Sequence, residues 1–393
     1  MSRPTERTQP QKSPAEGKAF LKPVNLESRR KKILLVDLFA GIGGFHYGVA
    51  AASAEKSRLV DPILVSEIDS ACSETYAFNH QVATQGDVKK LDLESGRTAD
   101  ILTAGFPCQP FSNSGLKKGL SDPRGQFYNR IQELILHYDT KSFILENVPG
   151  MRMNGGGRHQ SKLSFVPGQV IGSTMQKLEK KLLELQNSYG YDIKWIELDS
   201  SHFGSPQVRK RVYIVGIKRE YVGASGISLT FEKTGLSTFR EISEGIEIPD
   251  MRLSRSQEEN LRSFMKNPPS YKDGMRRVGN AYLCKGGNVG QGYHADGNVP
   301  TLTKVWARFL PIYFPAKGEK SPDRNTPQFI PCEKYNSGSF RRATVREAMR
   351  LQGFPDTFIP HESDRLAYEH AGNAVNALVV KSIAGRLLEK ISK

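Results

Sequence analysis

The chain has 393 residues, enough for two domains or for one large domain with an insertion, and its 38% hydrophobic and 25% charged residues are typical of globular proteins. No apolar run approaches the roughly 20 residues that a membrane helix needs, and the first residues lack the apolar stretch of a secretory signal, so we expect a cytoplasmic protein with no membrane partner. The formal net charge of +15 favours a polyanionic partner, nucleic acid before an anionic membrane, although charge alone does not separate these from a merely basic protein.

Strand and helix patterns alternate from residue 33 onward. They follow a polar stretch, residues 1–32, with nine Lys or Arg against three Asp or Glu, which we expect to be a flexible basic tail. The predicted strands are 33–39, 63–67, 101–104, 142–146, 193–198 and 211–217, and the predicted helices are 48–54, 126–138 and 174–188. Such alternation predicts the α/β class with a doubly wound, mixed sheet.

The alternation stops after Gly216. Residues 222–340 are irregular and rich in Gly, Pro, Asn and Ser, and residues 251–340 hold fourteen Lys or Arg against seven Asp or Glu. Helical patterns return at 344–351 and 374–388. We therefore predict four parts: the tail over 1–32, a larger α/β domain over 33–221, a smaller inserted domain over 222–340, and a C-terminal segment over 341–393 that returns to the larger domain.

The four cysteines, Cys72, Cys108, Cys284 and Cys332, lie far apart with no Cys-x-x-Cys spacing. This spacing argues against a zinc site and against a disulfide framework, so we expect no metal and a reducing compartment. A single cysteine is more often a small buried apolar residue than a functional one. A function for any of the four must therefore follow from its surroundings.

Cys108 does have informative surroundings, in the run Gly-Phe-Pro-Cys-Gln-Pro-Phe-Ser that follows the predicted strand 101–104. Glu146 ends another predicted strand and is followed by Asn147 and Val148. In an open parallel sheet both strand ends open onto the edge where ligands bind, which would bring a thiol and a carboxyl group together. Taken alone, Glu146 and Asn147 are better explained as a helix cap.

A glycine-rich turn, residues 37–45, follows the first buried strand pattern and opens a helix. Glycines there let a ligand approach the backbone, although such turns also serve packing. Glu67 ends the next strand, where it could bind ribose hydroxyls, and Asp87 could lie near an adenine. Two acidic residues and no Lys in the loop suit a cationic nucleoside cofactor better than a pyrophosphate.

Together these motifs resemble the DNA cytosine-5 methyltransferase family over about 350 residues and in the family's order. The matching segments are residues 39–45, Glu67 and Asp87, residues 105–112, 122–125, 146–148, 207–211, 346–355 and 372–375. The resemblance implies a Rossmann-like domain that binds S-adenosyl-L-methionine. It also implies that residues 222–340 form a target-recognition domain.

The resemblance implies a covalent mechanism with base flipping. The Cys108 thiolate would add to carbon 6 of a flipped cytosine, which makes carbon 5 able to accept a methyl group. Glu146, kept protonated by burial without a cationic neighbour, would balance charge at ring nitrogen 3, and Arg209 and Arg211 would bind the exocyclic oxygen. Loss of the carbon 5 proton expels the thiolate; no residue is assigned as the base, and water is a candidate.

Further residues carry implied binding roles. The cofactor-binding residues are Phe39, Ala40, Gly41, Gly43, Gly44, Glu67, Ile68, Asp87, Pro107, Asn373, Ala374 and Val375. The candidate DNA contacts are Lys117, Lys118, Arg276, Arg277, Gln291 and Thr301. Lys117 and Lys118 lie in a glycine-containing loop that could close over the site, and Arg and Gln side chains commonly read base edges.

We expect the partner to be double-stranded DNA, and the activity to protect one short sequence from a cognate restriction endonuclease that need not contact this chain. A monomer associated with the nucleoid fits this role. The main alternative is a transfer RNA methyltransferase on the same scaffold, which the long basic insertion disfavours. A catalytically inactive DNA-binding relative would not need Cys108 and Glu146, and a nicotinamide dehydrogenase would leave the Cys108 loop unexplained.

Overall fold

The structure is a computed structural model that describes residues 31–91, 93, 96–106, 123–153, 158–161, 170–235, 237–246, 248–259, 293–304, 307–317 and 338–391. Its strands are β1 Lys32–Leu38, β2 Leu59–Ser66, β3 Ile101–Ala104, β4 Ser142–Asn147, β5 His159–Gln160, β6 Val170–Ile171, β7 Tyr191–Asp199, β8 Gln207–Val208, β9 Lys210–Lys218, β10 Tyr293–His294, β11 Val299–Pro300, β12 Pro311–Phe314 and β13 Ser339–Arg342.

The helices surround a central sheet. They are α1 Gly44–Glu55, α2 Ser70–His80, α3 Pro123–His137, α4 Ser173–Ser188, α5 Phe239–Ile242, α6 Val345–Leu351, α7 Asp364–Asn373 and α8 Ala377–Ile391. Among the residues that the structure describes, no helix combines the length and the apolar character that crossing a bilayer requires.

The central sheet has six strands in the order β2-β1-β3-β4-β9-β7. β1 to β4 run parallel, and β9 is antiparallel to both β4 and β7. This confirms the predicted α/β class with a mixed, mostly parallel sheet. The carboxyl ends of β1, β3 and β4 therefore meet at one edge, which positions the segments that follow them.

Successive side chains of a strand point to opposite faces of the sheet, and both faces are buried. Phe143 of β4 packs in one core with Leu134 of α3 and Leu178 of α4. The next residue, Ile144, packs in a second core with Val49 of α1 and Ile383 of α8. Helices thus cover both faces, as the doubly wound prediction requires.

The small residues of α1 allow it to lie directly against α8. A Cβ atom on Gly44 would lie 2.6 Å from the Val375 carbonyl oxygen, and one on Gly48 would lie 2.5 Å from the Cβ of Val380. Since such distances are shorter than real Cβ contacts, any side chain here would push the helices apart. The start of α1 is therefore held against the segment before α8.

The predicted helix start at residue 374 is wrong. Helix α8 begins at Ala377, because the Asn376 side chain accepts hydrogen bonds from the amides of Leu378 (3.2 Å) and Val379 (3.3 Å) and so marks a new N-terminus. Residues 374–376 connect α8 to α7, a helix that the sequence patterns did not predict, and α2 was not predicted either.

Residues 222–340, the inserted region, contribute strands β10 and β12 to a three-stranded sheet that β13 completes. β12 pairs parallel with β10 and antiparallel with β13. A third core joins residues of this region, such as Phe239 and Ile312, to Leu351 and Ala371 of the C-terminal segment. Strand β13 crosses the predicted boundary between residues 340 and 341, and the division into domains stays a prediction.

We predict that Gly216→Ala destabilises the fold. Gly216 in β9 pairs with Phe143 in β4, and a Cβ there would lie 2.1 Å from the Phe143 ring. Overpacking of this kind costs about 1–3 kcal/mol, which urea unfolding of the purified protein would measure as a lower free energy of unfolding.

Gly385→Ala is the matched control. Gly385 lies in α8 with no atom within 4 Å of an added Cβ, so the same change should raise the free energy of unfolding by about 0.5–1 kcal/mol. A Gly216→Ala protein as stable as the unsubstituted one would contradict the packing described for β4 and β9.

Candidate functional site

The glycine-rich turn after β1 is tied to the end of β2. The Ala40 amide donates to the Ser66 carbonyl at 3.0 Å, and the Gly41 amide donates to the Glu67 carboxylate at 2.7 Å. Gly41 has φ 55°, in the left-handed region that favours glycine, and an added Cβ would meet no atom within 4 Å. The turn therefore presents open space beside its backbone.

A cavity lies between this turn and the segment that joins α7 to α8. Its described lining residues are Phe39, Ala40, Gly41, Ile42, Gly44, Phe45, Cys72, Gly105, Glu146, His370, Asn373, Ala374 and Val375. The structure thus brings the two predicted cofactor segments and Glu146 together, although more than 300 residues separate the two segments in sequence. Ile42, Phe45 and Gly105 belong to motifs that the sequence singled out, whereas nothing in the sequence pointed to Cys72 or His370.

Of the predicted cofactor residues that the structure describes, Gly43, Glu67, Ile68 and Asp87 are not part of that lining. Glu67 accepts hydrogen bonds from Gly41 and, at 2.8 Å, from the Asp69 amide. Ile68 is 77% exposed, and Asp87 accepts from the Lys89 amide at 3.0 Å. Carboxylate oxygens have lone pairs for further donors, so these bonds leave both acids able to accept from a ligand.

Glu146 lies at the carboxyl end of β4, beside an arginine of the antiparallel strand β9. The Nε atom of Arg211 lies 3.1 Å from Oε1 of Glu146, and both side chains are largely buried. The geometry is that of an ion pair without an aligned hydrogen bond, since Oε1 has no hydrogen-bond partner among the described residues. Glu146 therefore has the cationic neighbour that the sequence analysis did not expect.

Burial raises the pKa of Glu146 above its ordinary value of 4.5 even so. Removal from water acts most strongly, and the positive charges of Arg211 and then Arg209 oppose it. The carboxyl group therefore holds a proton at higher pH than an exposed glutamate. Such a group can donate a proton to a ligand in the cavity.

Asn147 connects Glu146 to the segment that carries Cys108. Its side-chain amide donates to the Phe106 carbonyl at 3.0 Å, across the ends of β4 and β3. Its side-chain oxygen accepts from the Val148 amide at 2.8 Å. The helix-cap alternative for this pair therefore does not describe Asn147, which instead fixes the start of the Cys108 loop beside Glu146.

The side chain of Arg209 donates its hydrogen bonds to backbone carbonyls and not to the Glu146 carboxyl group. Its guanidinium donates to the carbonyls of Leu302 (2.9 Å), Gly372 (3.3 Å) and Ala374 (2.8 Å). It is only 3% exposed, and burial lowers its pKa to about 9. We call the contacts of Arg209 with these three carbonyls the Arg209 junction; it joins the inserted region to the wall of the cavity.

Several predicted site residues lie outside the described residues. They are Cys108, Pro107, Lys117, Lys118, Arg276, Arg277 and Gln291. Thr301 is described, and its hydroxyl donates to the Val208 carbonyl at 2.8 Å, beside the pairing of β11 with β8. A second cavity, between Leu198 and Phe231, contains none of the predicted site residues.

One protein-family model matches nearly the whole chain. The family model for C-5 cytosine-specific DNA methylases matches residues 33–389. This range contains nearly all of the central sheet and the inserted region. It also contains the glycine-rich turn, Glu146 and the segment between α7 and α8, which line the cavity.

Curated proteins and solved structures resemble the chain over most of its length. Type II methyltransferase M.BanI of Aneurinibacillus aneurinilyticus is 30% identical, covering 91% of this chain and 96% of that protein. Type II methyltransferase M.HgiCI of Herpetosiphon aurantiacus is 29% identical, covering 88% and 96%. The structure of the Entamoeba histolytica methyltransferase EhMeth superposes with a TM-score of 0.63 at 15% identity, covering 93% of this chain and all of that one, which shows a shared fold.

We predict that Arg209→Met lowers the free energy of unfolding by at least about 2 kcal/mol. Methionine keeps much of the side-chain volume but removes the donors to three carbonyls, and each buried group left unpaired costs about 1–3 kcal/mol. Urea unfolding measures the change.

Arg386→Met is the control, because the Arg386 guanidinium reaches the Thr230 carbonyl at 3.2 Å from an exposed position. That change should stay within about 0.5 kcal/mol of the unsubstituted protein. Equal stability of the two variants would contradict the view that the Arg209 junction supports the fold.

Proposed function

The chain belongs to the C-5 cytosine-specific DNA methylase family and is a DNA cytosine-5 methyltransferase that uses S-adenosyl-L-methionine; we propose that it modifies one short duplex sequence through a Cys108 adduct. The observation that carries the proposed chemistry is the buried Glu146 carboxyl group beside Arg211 on the cavity wall. Asn147 anchors the segment leading to Cys108 at the same place.

The described residues fit the cofactor. None of the described residues that line the cavity is Lys or Arg, so no cationic lining side chain repels a positively charged sulfonium. Glu67 has acceptor capacity for ribose hydroxyls, and the exposed Ile68 can cover an adenine ring. Asp87, Asn373, Ala374, Val375 and the turn would complete the site, with Pro107 beyond the described residues. The cofactor, when bound there, supplies an electrophilic methyl group.

The chain's own residues perform the remaining steps. The Cys108 thiolate adds to carbon 6 of the cytosine, and a new bond between sulfur and carbon 6 forms as electrons move toward ring nitrogen 3. Glu146 gives its proton to that nitrogen, so carbon 5 becomes enamine-like and reacts with the methyl group. Arg211 binds the exocyclic oxygen and balances the Glu146 carboxylate once its proton has left. Water, the candidate base, then takes the carbon 5 proton as the thiolate leaves, and ring nitrogen 3 returns its proton to Glu146.

Arg209 has a different role from that of Arg211 in this proposal. Its two terminal nitrogens donate to backbone carbonyls, so it positions the cavity wall instead of binding the base. This assigns to Arg211 alone the base-binding role that the sequence analysis divided between the two arginines.

The target base must leave the double helix before these groups can reach it, at a cost of a few kcal/mol. We assign recognition of the surrounding sequence to the inserted region, residues 222–340. The net charge of +15 favours binding to the phosphate backbone. The predicted DNA contacts remain Lys117, Lys118, Arg276, Arg277 and Gln291. The Thr301 hydroxyl instead donates a hydrogen bond to the Val208 carbonyl of β8.

The biological role we propose is modification within a restriction–modification system, acting as a monomer on DNA in the cytoplasm. The similarity to the Type II methyltransferases M.BanI and M.HgiCI supports this role. A cognate endonuclease would recognise the same site without contacting this chain. The transfer RNA alternative has only fold-level support.

The general-acid role of Glu146 predicts both a rate loss and a changed pH profile for Glu146→Gln. Removing the transferable proton should lower kcat by about 100-fold or more. The protonated carboxyl group is the active form, so kcat of the unsubstituted enzyme should be highest below the raised pKa of Glu146 and fall as pH rises through it. Single-turnover methyl transfer measured across pH should show this limb, and the Gln variant should lack it.

Glu133→Gln provides the control, because Glu133 is 55% exposed on α3 and pairs with Arg130. It should leave both kcat and the pH profile unchanged. A Glu146→Gln enzyme with normal kcat, or with the same high-pH limb, would remove Glu146 from the mechanism.

The substrate assignment predicts methylated cytosine at one recurring short sequence in a host free of cytosine methylation. Bisulfite sequencing of total DNA from cells expressing the chain would reveal that sequence, and Cys108→Ser should abolish the pattern. Transfer RNA from the same cells should stay unmethylated. Methylation of transfer RNA with none in DNA would replace the DNA assignment by the RNA one, and an active Cys108→Ser protein would overturn the nucleophile.

A further inference from the structure

Three side chains of metal-binding types meet at one edge of the cofactor cavity. Asp69 precedes α2, Cys72 lies in its first turn, and His370 lies in the last turn of α7. A carboxylate oxygen, the thiol sulfur and a ring nitrogen of these residues all lie within 4.8 Å of one another. No residue of this trio has a role in the mechanism proposed above.

The local backbone holds two of the three in place. The Asp69 side chain accepts a hydrogen bond from the Cys72 amide at 3.0 Å, which fixes the carboxylate over the first turn of α2. Thus two donors three residues apart come from one helix start and the third comes from a distant segment. The sequence spacing of the cysteines could not show such an arrangement.

His370 supplies the independent observation. The residue is 5% exposed, and its Nδ1 atom is buried with no hydrogen-bond partner among the described residues. Leaving a buried ring nitrogen unpaired costs free energy, so a site that retains one commonly uses it for a ligand. The nearby Lys304 does not take this place, since its ammonium pairs with Glu369 at 3.2 Å.

We propose that Asp69, Cys72 and His370 form a binding site for a zinc ion at the edge of the cofactor cavity. Four-coordinate zinc has ligand atoms about 3.3–3.8 Å apart when its bonds are about 2.0–2.3 Å long. Side-chain rotations that move the ligand atoms by about 1 Å therefore close the site. Sulfur and imidazole donors favour zinc over magnesium or calcium. When zinc binds, a zinc–sulfur bond replaces the sulfur–hydrogen bond of Cys72, and the proton passes to solvent.

The three residues leave one coordination position for water. Because Cys72 and His370 both line the cavity, the ion would occupy space beside the proposed cofactor position. Zinc and S-adenosyl-L-methionine therefore compete. This competition depends on the proposed cofactor position, whereas the metal site itself does not.

The metal site is tested with cobalt(II), which adopts zinc-like geometry and absorbs strongly in the near ultraviolet when bonded to a thiolate. Titration of the chelator-treated full-length protein should produce this band at one equivalent, and zinc should abolish it. Cys72→Ser should lose the band. Asp69→Asn, which retains a helix-capping side chain, should weaken cobalt binding at least tenfold while circular dichroism shows an intact fold.

Cys332→Ser is the matched control and should keep the full band. No band in the unsubstituted protein, or a band that survives in Cys72→Ser, would overturn the site. Loss of the band in Cys332→Ser to the same extent as in Cys72→Ser would also overturn it.

Competition is measured separately, as cofactor binding by calorimetry with and without zinc. At a zinc concentration ten times its dissociation constant, the apparent cofactor dissociation constant should rise about elevenfold in the unsubstituted protein and at most about twofold in Asp69→Asn, whose metal binding is at least tenfold weaker. An unchanged value beside a positive cobalt result would overturn the competition and leave the metal site standing. Absence of cofactor binding in both proteins would instead count against the proposed function.

Discussion

The position of one buried charge, the Arg209 guanidinium, determines how the inserted region meets the cavity lined by Glu146. Its hydrogen bonds reach Leu302 of the insertion and Gly372 and Ala374 at the end of α7. Since a buried arginine is costly unless its donors are used, the three carbonyls and the guanidinium must stay together. The neighbouring Gln207 amide accepts from Leu302 and donates to Leu351, which extends the same constraint to α6. Movement of the insertion therefore displaces a wall of the cavity.

Arg209 and Arg211 are two residues apart in sequence but have different surroundings in the structure. Residues two apart on an extended strand share a face, yet the break between β8 and β9 at Arg209 places that side chain in the junction. Arg211, already within β9, lies beside Glu146 of the paired strand β4. Charge at the Glu146 carboxyl group is therefore balanced by one arginine in contact and by a second at longer range. Desolvation still prevails over both, and the carboxyl group keeps its raised pKa.

Much of the central fold was predictable because its elements are locally encoded. Strands β1, β3 and β4 are short apolar runs bounded by turns, and α4 has a clear helical pattern. Helices α2 and α7 were missed. The start of α8 was placed too early because the apolar residues Ala374 and Val375 extend its pattern to the N-terminal side of the Asn376 cap. Asp69, Cys72 and His370 could not be found as a group, since two segments 300 residues apart supply them.

The sequence by itself determined the fold class, the order of the motifs and the chemical types at the site. Side-chain chemistry and hydrophobic period are local properties, so the glycine turn, Glu67 and Glu146 could be read directly. The tertiary structure alone decided which groups touch: Arg211 with Glu146, Asn147 with Phe106, and Arg209 with three carbonyls. Those contacts depend on burial and on strand pairing across many residues, and they set charge and pKa through the distance between atoms and their removal from water.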